Sequence, residues 1–208
     1  MNNKPELAVT VFSDFICPFC YIGERRLARV AEHYNMNVDW RFLEIHPETP
    51  PEGMPVSELG YPPEQWRQMM EHLSRMADEE NIPLADREFT TNSRKALLLA
   101  EAAKEEGPGV FSALNEKLFQ VFFGEGRNIG DDTVLRRLAE EAGLPPAVVD
   151  RAWSDPSYGE RLGANQADAS RLGIRGVPTF LIGKRILMGA VSTETLLSAA
   201  REASPSVP

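Results

Sequence analysis

The sequence predicts an α/β protein in which a βαβ unit and a ββα unit are separated by a large all-helical insertion. Strand-like periodicity is confined to the two ends of the 208-residue chain, and the long stretch between them reads as helix. Both cysteines fall in one four-residue stretch, Cys17-Pro18-Phe19-Cys20, at the first strand-to-helix junction.

Leu7 to Ser13 is a short β-branched run and is expected to be a buried strand. Asp14 to Phe19 bend the chain into a helix whose apolar positions Leu27, Val30, Ala31 and Tyr34 keep helical spacing, and Asn35 and Asn37 are expected to close it. Val38, Trp40 and Phe42 alternate with Asp39 and Arg41, the period of a strand. Residues 47–63 hold six prolines and three glycines or serines, which is loop composition. Beyond them Trp66, Met69, Met70, Leu73 and Met76 form one helical stripe opened by Pro62-Pro63. Asn92 or Ser93 can cap a helix through Ala103, ended by Gly107-Pro108. Phe111, Leu114, Leu118, Val121 and Phe122 make the next, ended by Gly124. Asp131 or Asp132 caps another, which Gly143 stops. Val148, Val149 and Trp153 lie on a short helix, and a further one runs from Ser157 to Leu172 before Gly173.

Strand pattern returns only at Thr179–Ile182 and Arg185–Met188, joined by Gly183-Lys184 as a two-residue hairpin turn. Ser192 then caps a terminal helix through Ala203, and the Ser204–Pro208 tail is expected to fray. Residues 1–50 and 174–208 are read as two parts of one α/β unit, and 51–173 as the insertion, because the sheet needs strands from both flanks. A βαβ unit followed by ββα, with a cysteine pair at the first helix start, is the thioredoxin plan.

Hydrophobic residues make up 42% and charged ones 25%, enough for a core of ordinary globular kind. The balance of 22 basic against 31 acidic residues, −9 in all, disfavours nucleic acid or an anionic membrane as a main partner. No apolar run reaches the ~18–20 residues that cross a bilayer. Met1 to Glu6 lack the charged-then-apolar pattern of a secretory signal, so a cytoplasmic location is expected. Two cysteines are too few for a disulfide scaffold. In a reducing compartment a close pair points instead to redox chemistry or metal binding.

Disulfide exchange needs an attacking thiolate, a second thiol to release the mixed disulfide, and access for the partner. A CxxC pair that opens a helix supplies all three. The first sulfur sits where unpaired backbone N–H groups and the helix dipole favour an anion, and the second lies one turn in and deeper. Cys17 is therefore the expected nucleophile and Cys20 the resolving cysteine. Pro18 suits the first helical position, where a missing N–H costs nothing. Phe19 sets the degree, since a histidine there could donate to the thiolate and phenylalanine cannot. Zinc would need about four ligands, often two such pairs. With no second pair, and with His33, His46 and His72 lacking ligand spacing, no metal is expected.

Gly176-Val177-Pro178-Thr179-Phe180 is the second signal. Pro178 could simply open a strand. Alternatively it is a cis proline whose loop faces the cysteine pair and leaves the backbone of Val177 to bind an extended substrate.

Taken together, DFICPFCYIG near the amino terminus, a helical middle and LGIRGVPTFLIGKRILMGA near the end resemble the DsbA-like oxidoreductases, and among them the FrnE-like branch, over nearly the whole chain. The resemblance implies a thioredoxin fold with a helical insertion and a cis proline at Pro178. It also implies disulfide oxidoreductase or isomerase activity through Cys17 and Cys20 on protein or small-thiol substrates. No bound cofactor is implied, with glutathione as an optional redox partner and a monomer or homodimer as the assembly. The adjoining 2-hydroxychromene-2-carboxylate isomerases and kappa-class glutathione transferases share the architecture and use glutathione, but place serine where Cys17 stands. A glutathione-dependent isomerase or transferase is thus one alternative, and a redox-sensing, chaperone-like binding protein is another.

Several lesser residues keep two readings each. His46 either lines the active-site rim or merely ends a strand. Asp14 either caps the first helix or shuttles a proton. Arg25 and Arg26 either raise the potential near Cys17 or sit on solvated faces. The Met69, Met70 and Met76 stripe is either core or an adaptable client surface. Asp78-Glu79-Glu80 and Glu105-Glu106 are read as solvated.

Overall fold

The computed structural model describes residues 4–204. In chain order its strands and α-helices are β1 (Glu6–Ser13), α1 (Pro18–Val30), β2 (Asn35–Phe42), β3 (Met54–Pro55), α2 (Pro63–Glu80), β4 (Phe89–Thr90), α3 (Arg94–Ala103), α4 (Pro108–Phe119), α5 (Asp132–Glu141), α6 (Pro146–Ser154), α7 (Pro156–Arg171), β5 (Thr179–Ile182), β6 (Arg185–Met188) and α8 (Thr193–Ala203). The expected fraying of the tail concerns residues that, after Ser204, lie outside the described ones.

Strands from both ends of the chain form one four-stranded sheet in the order β2-β1-β5-β6. β1 runs parallel to β2 and antiparallel to β5, and β6 returns antiparallel beside β5. Central position explains the composition of β1, where Leu7, Val9 and Val11 face α1 and α8 while Phe12 packs with Ala169 of α7. Ile182 pairs with Arg185, so the hairpin loop is the two residues expected, and Gly183 supplies its positive φ of 58°. The helices between β2 and β5 bury a core of their own, which continues into Phe15, Cys20, Tyr21 and Ile22 at the start of α1. The cysteine pair therefore sits on the seam between the sheet and the helical block.

Three local expectations need correction. α1 ends at Val30, not at Asn35 or Asn37. The Tyr34 N–H returns to the Val30 carbonyl at 3.1 Å, and Asn35 and Asn37 then pair with Glu6 and Ala8 along β1. The ladder offered by β1 overrides the local helix-stop signal. The proline-rich stretch is not wholly loop, because β3 pairs antiparallel with β4 and Val56–Leu59 form a 3-10 turn. Two-residue strands are too short to carry a period. Helix continues past α4 to Gly124 as expected, but Gln120–Gly124 form a π-helical turn.

Glu80, read as solvated, and Arg26, for which a solvated face is one of two readings, are buried together. Arg26 Nε donates to Glu80 Oε1 at 2.9 Å, Nη2 to Glu79 Oε2 at 2.9 Å, and Nη1 to the Ala190 carbonyl at 2.7 Å. Arg29 Nη2 reaches the other oxygen of Glu80 at 2.7 Å. With 7% and 6% of their side chains exposed, Arg26 and Glu80 lock α2 onto α1. Arg26→Ala strands a buried carboxylate and should lower the free energy of unfolding in urea by about 3–5 kcal/mol. Glu79→Ala, at an exposed partner, should cost under about 1 kcal/mol. Equal losses in the two variants would mean that burial gives the inner pair no special weight.

Candidate active site

β1 delivers the chain to a tight turn. The Cys17 N–H donates to the Asp14 carbonyl at 3.2 Å, and the Cys20 N–H to the Cys17 carbonyl at 3.0 Å. Phe15 pins this turn, since its ring lies 5.1 Å from Phe42 at the end of β2 and 5.1 Å from Phe119 of α4. Tyr21 stacks on Phe119 from the first turns of α1. The loop ahead of the cysteines is thus clamped by rings from three elements.

Cys17 is the N-cap of α1, with φ −91° and ψ 112°, and Pro18 is the first helical residue. No side chain caps this helix start and no acidic residue occupies its first turn. Pro18 has no N–H and that of Cys20 is bonded to the Cys17 carbonyl, so the Phe19 N–H and the helix dipole are what this start offers to a negative charge beside it. Both cysteines are free thiols, not at disulfide distance, and Cys20 at 2% exposure is deeper than Cys17 at 7%. Burial, followed by the neighbouring Cys17 thiol, pushes the Cys20 thiol well above its usual range.

The Cys17 thiol donates to the Val177 carbonyl at 3.6 Å, across a sequence separation of 160 residues. The Val177–Pro178 peptide bond is cis. The backbone at Val177, expected to bind an extended substrate, therefore lies beside the Cys17 sulfur. The loop is held on both sides: Thr179 Oγ1 donates to the Gly176 carbonyl at 2.8 Å and the Gly189 N–H to the Pro178 carbonyl at 2.8 Å. Gly23 of α1 sets how near it comes. A Cβ there would lie 2.9 Å from the Phe180 ring and 3.1 Å from Pro178.

Asp14 does not cap α1. Its carboxyl accepts from the Ile16 N–H at 3.3 Å, the Ile45 N–H at 2.9 Å and the Ser93 hydroxyl at 3.0 Å, tying the turn to the segment after β2 and to the start of α3. Burial pushes this carboxyl up to about 7, against the pull of those donors. Burial likewise pushes Glu24, bonded to Asn115 of α4, up to about 8.

A cavity of about 510 Å³ opens at Cys17. Pro18, Phe19 and Val177 join Cys17 on one side, while Trp66, Met69 and Met70 of α2 form another wall. The methionine stripe is divided, for Met76 is buried in the core while Leu73, also buried, borders the cavity. His46, with Nδ1 at 3.3 Å from Glu48, also lines the cavity, which makes it a rim residue. Arg25 stays half-exposed beside Glu116, and His72 meets Phe19 at 6.3 Å between rings. Two contributors escaped the sequence reading. Gly23 gave no signal because a helical glycine shows its purpose only against its neighbour. Arg87, which completes the cavity, was one charge among many.

This sheet, its helical block, and a cysteine pair opening the first helix define a thioredoxin-fold protein of the oxidoreductase type. The sequence profile of the DSBA-like thioredoxin domain matches residues 8–201, and the chain belongs to that family. The uncharacterized protein YwbO of Bacillus subtilis is 29% identical over 191 residues, 89% of this chain and 92% of that one. The crystal structure of a probable DsbA oxidoreductase from Streptomyces coelicolor superposes with a TM-score of 0.84 at 26% identity, covering 97% of this chain and 92% of the other. A cytosolic disulfide reductase, DsbM from Pseudomonas aeruginosa with GSH, shares the fold at a TM-score of 0.68 and 22% identity, covering 95% and 96%.

Asp14 and Glu24 both hold protons in the folded state at pH values where the unfolded chain has lost them. The unfolded state then binds fewer protons, so stability falls as pH rises from about 4, through about 7 for Asp14 and about 8 for Glu24. Melting temperatures between pH 5 and pH 8.5 should show this decline, and Asp14→Asn and Glu24→Gln should each flatten it. A slope unchanged in both variants would show that neither carboxyl titrates as described. Separately, Gly23→Ala should push α1 off the loop and lower the melting temperature, and an unchanged melting temperature would show that this approach is not close-packed.

Proposed function

We propose that this protein is a thiol–disulfide oxidoreductase that exchanges disulfides with protein or small-thiol substrates. Cys17 is the attacking sulfur and Cys20 the resolving one, in an FrnE-like, cytoplasmic member of the family. The reading is carried by one observation: the Cys17 sulfur stands at an uncapped helix start, 3.6 Å from the Val177 carbonyl and open to the cavity.

The chemistry follows from the positions. Cys17 faces the positive end of the α1 dipole, and as the thiolate it attacks one sulfur of a substrate disulfide and expels the other as a thiolate. Cys20, kept protonated by burial, must lose its proton before it attacks Cys17 and frees the second substrate sulfur. Phe19 gives no hydrogen bond to the thiolate, which leaves the dithiol less stabilised than a histidine would and the pair a correspondingly weaker oxidant. Family membership supports this reaction class, and the glutathione-bound reductase of the same fold supports a low-molecular-weight thiol as redox partner. Among the described residues no helix is long and apolar enough to cross a membrane.

Insulin reduction with dithiothreitol should be lost in Cys17→Ser, whereas suppression of aggregation, if present, should survive. Cys20→Ser should accumulate mixed disulfides that dithiothreitol releases. Full insulin reduction by Cys17→Ser would overturn Cys17 as the attacking sulfur, and no reduction by the unmodified protein, with aggregation suppressed, would favour a non-catalytic binding protein.

A further inference from the structure

Arg87 is an arginine without an acid. Among the described residues no carboxylate lies within ion-pair distance of it, and its guanidinium donates no hydrogen bond to protein. It rests on aromatic rings, 4.0 Å from the centroid of Phe122, 5.2 Å from Phe123 and 5.4 Å from Phe89. Nη1 is buried with no hydrogen-bond partner at all. Burial also pulls this group down to about 10, an unusual place for a guanidinium. A partly desolvated cation stacked on rings and short of acceptors is costly to hold, and an incoming anion would relieve that cost. Arg87 also lines the cavity onto which Cys17 opens, whose other ionisable lining residues besides Cys17 are His46, Tyr61, Asp86 and Arg175.

We propose that Arg87 anchors the carboxylate of a small acidic thiol, and of its disulfide, whose sulfur reacts at Cys17 in the same cavity. The inference rests on the reading of Cys17 as the attacking thiol. A guanidinium presents paired donors that match a carboxylate, and stacking on Phe122 fixes their plane. The volume of about 510 Å³ suits a small molecule, and the apolar wall of Trp66, Met69 and Met70 suits its carbon chain. In the reaction the Cys17 thiolate attacks the small disulfide, one carboxylated thiolate leaves and takes up a proton, and Cys17 carries the other half as a mixed disulfide. Cys20 then gives up its proton, bonds to Cys17 and releases the second thiol. The protein dithiol is oxidised by two electrons and the small disulfide is reduced to two thiols.

The test compares 3,3′-dithiodipropionate, a dianion, with neutral bis(2-hydroxyethyl) disulfide as oxidants of the reduced protein, followed by Trp66-sensitive fluorescence and mass. The chain carries −9, so its overall field disfavours the dianion and any preference for it must be local. The ratio of the two rates should favour the dianion in the unmodified protein and fall by about tenfold or more in Arg87→Gln and Arg87→Met. Arg87→Lys should keep an intermediate ratio. A ratio unmoved by all three variants overturns the anchor. Should neither disulfide oxidise the pair, the exchange reading fails, and the anchor is judged by binding alone. In that case 3-(methylthio)propionate should protect Cys17 from iodoacetamide in the unmodified protein and not in Arg87→Met, and equal protection in both sinks it.

Discussion

The arrangement depends on where α1 begins. Because β1 ends in a turn closed by the Asp14 carbonyl, the helix starts at Pro18 and leaves Cys17 as its N-cap, with no side chain capping that start. A start one residue later would turn the sulfur away from the Val177 carbonyl and rotate Cys20 out of the core. The neighbouring structure is organised to prevent that slip. Phe15 is wedged between Phe42 and Phe119, Asp14 collects three donors from three segments, and Gly23 lets α1 lie against Phe180 and Pro178.

The helical block turns this start into a site. α2 supplies the wall of Trp66, Met69 and Met70, and the Arg26–Glu80 pair holds that wall to the helix bearing the cysteines. Cys17 and the candidate binding surface are therefore linked by a buried ion pair rather than by a flexible hinge. The burial that fixes this geometry also shifts its carboxyls upward: Asp14 and Glu24 sit in surroundings that favour their neutral forms.

Family membership places the chain among the DSBA-like thioredoxin domains, and the fold alone does not choose a reaction, since one fold hosts several chemistries. What distinguishes this chain lies in the site. It carries sulfur at position 17, phenylalanine at 19, and an acid-free arginine over three phenyl rings.

The sequence by itself determined the parts governed by short-range rules. Alternation in β2, β-branching in β1, caps such as Asp131 and Ser192, and glycine at 183 each act within a few residues, so the order of elements and the place of the cysteine pair were legible. Tertiary structure decided whatever depends on partners far along the chain. Asn35 and Asn37 joined a strand because β1 offered a ladder, Arg26 and Glu80 left solvent because α1 and α2 meet, and Asp14 bonded Ile45 and Ser93 in place of its own helix. Arg87 faces the Cys17 cavity for the same reason. A charged side chain has no period or motif to announce what it will be packed against, and only the assembled fold brings those distant groups together.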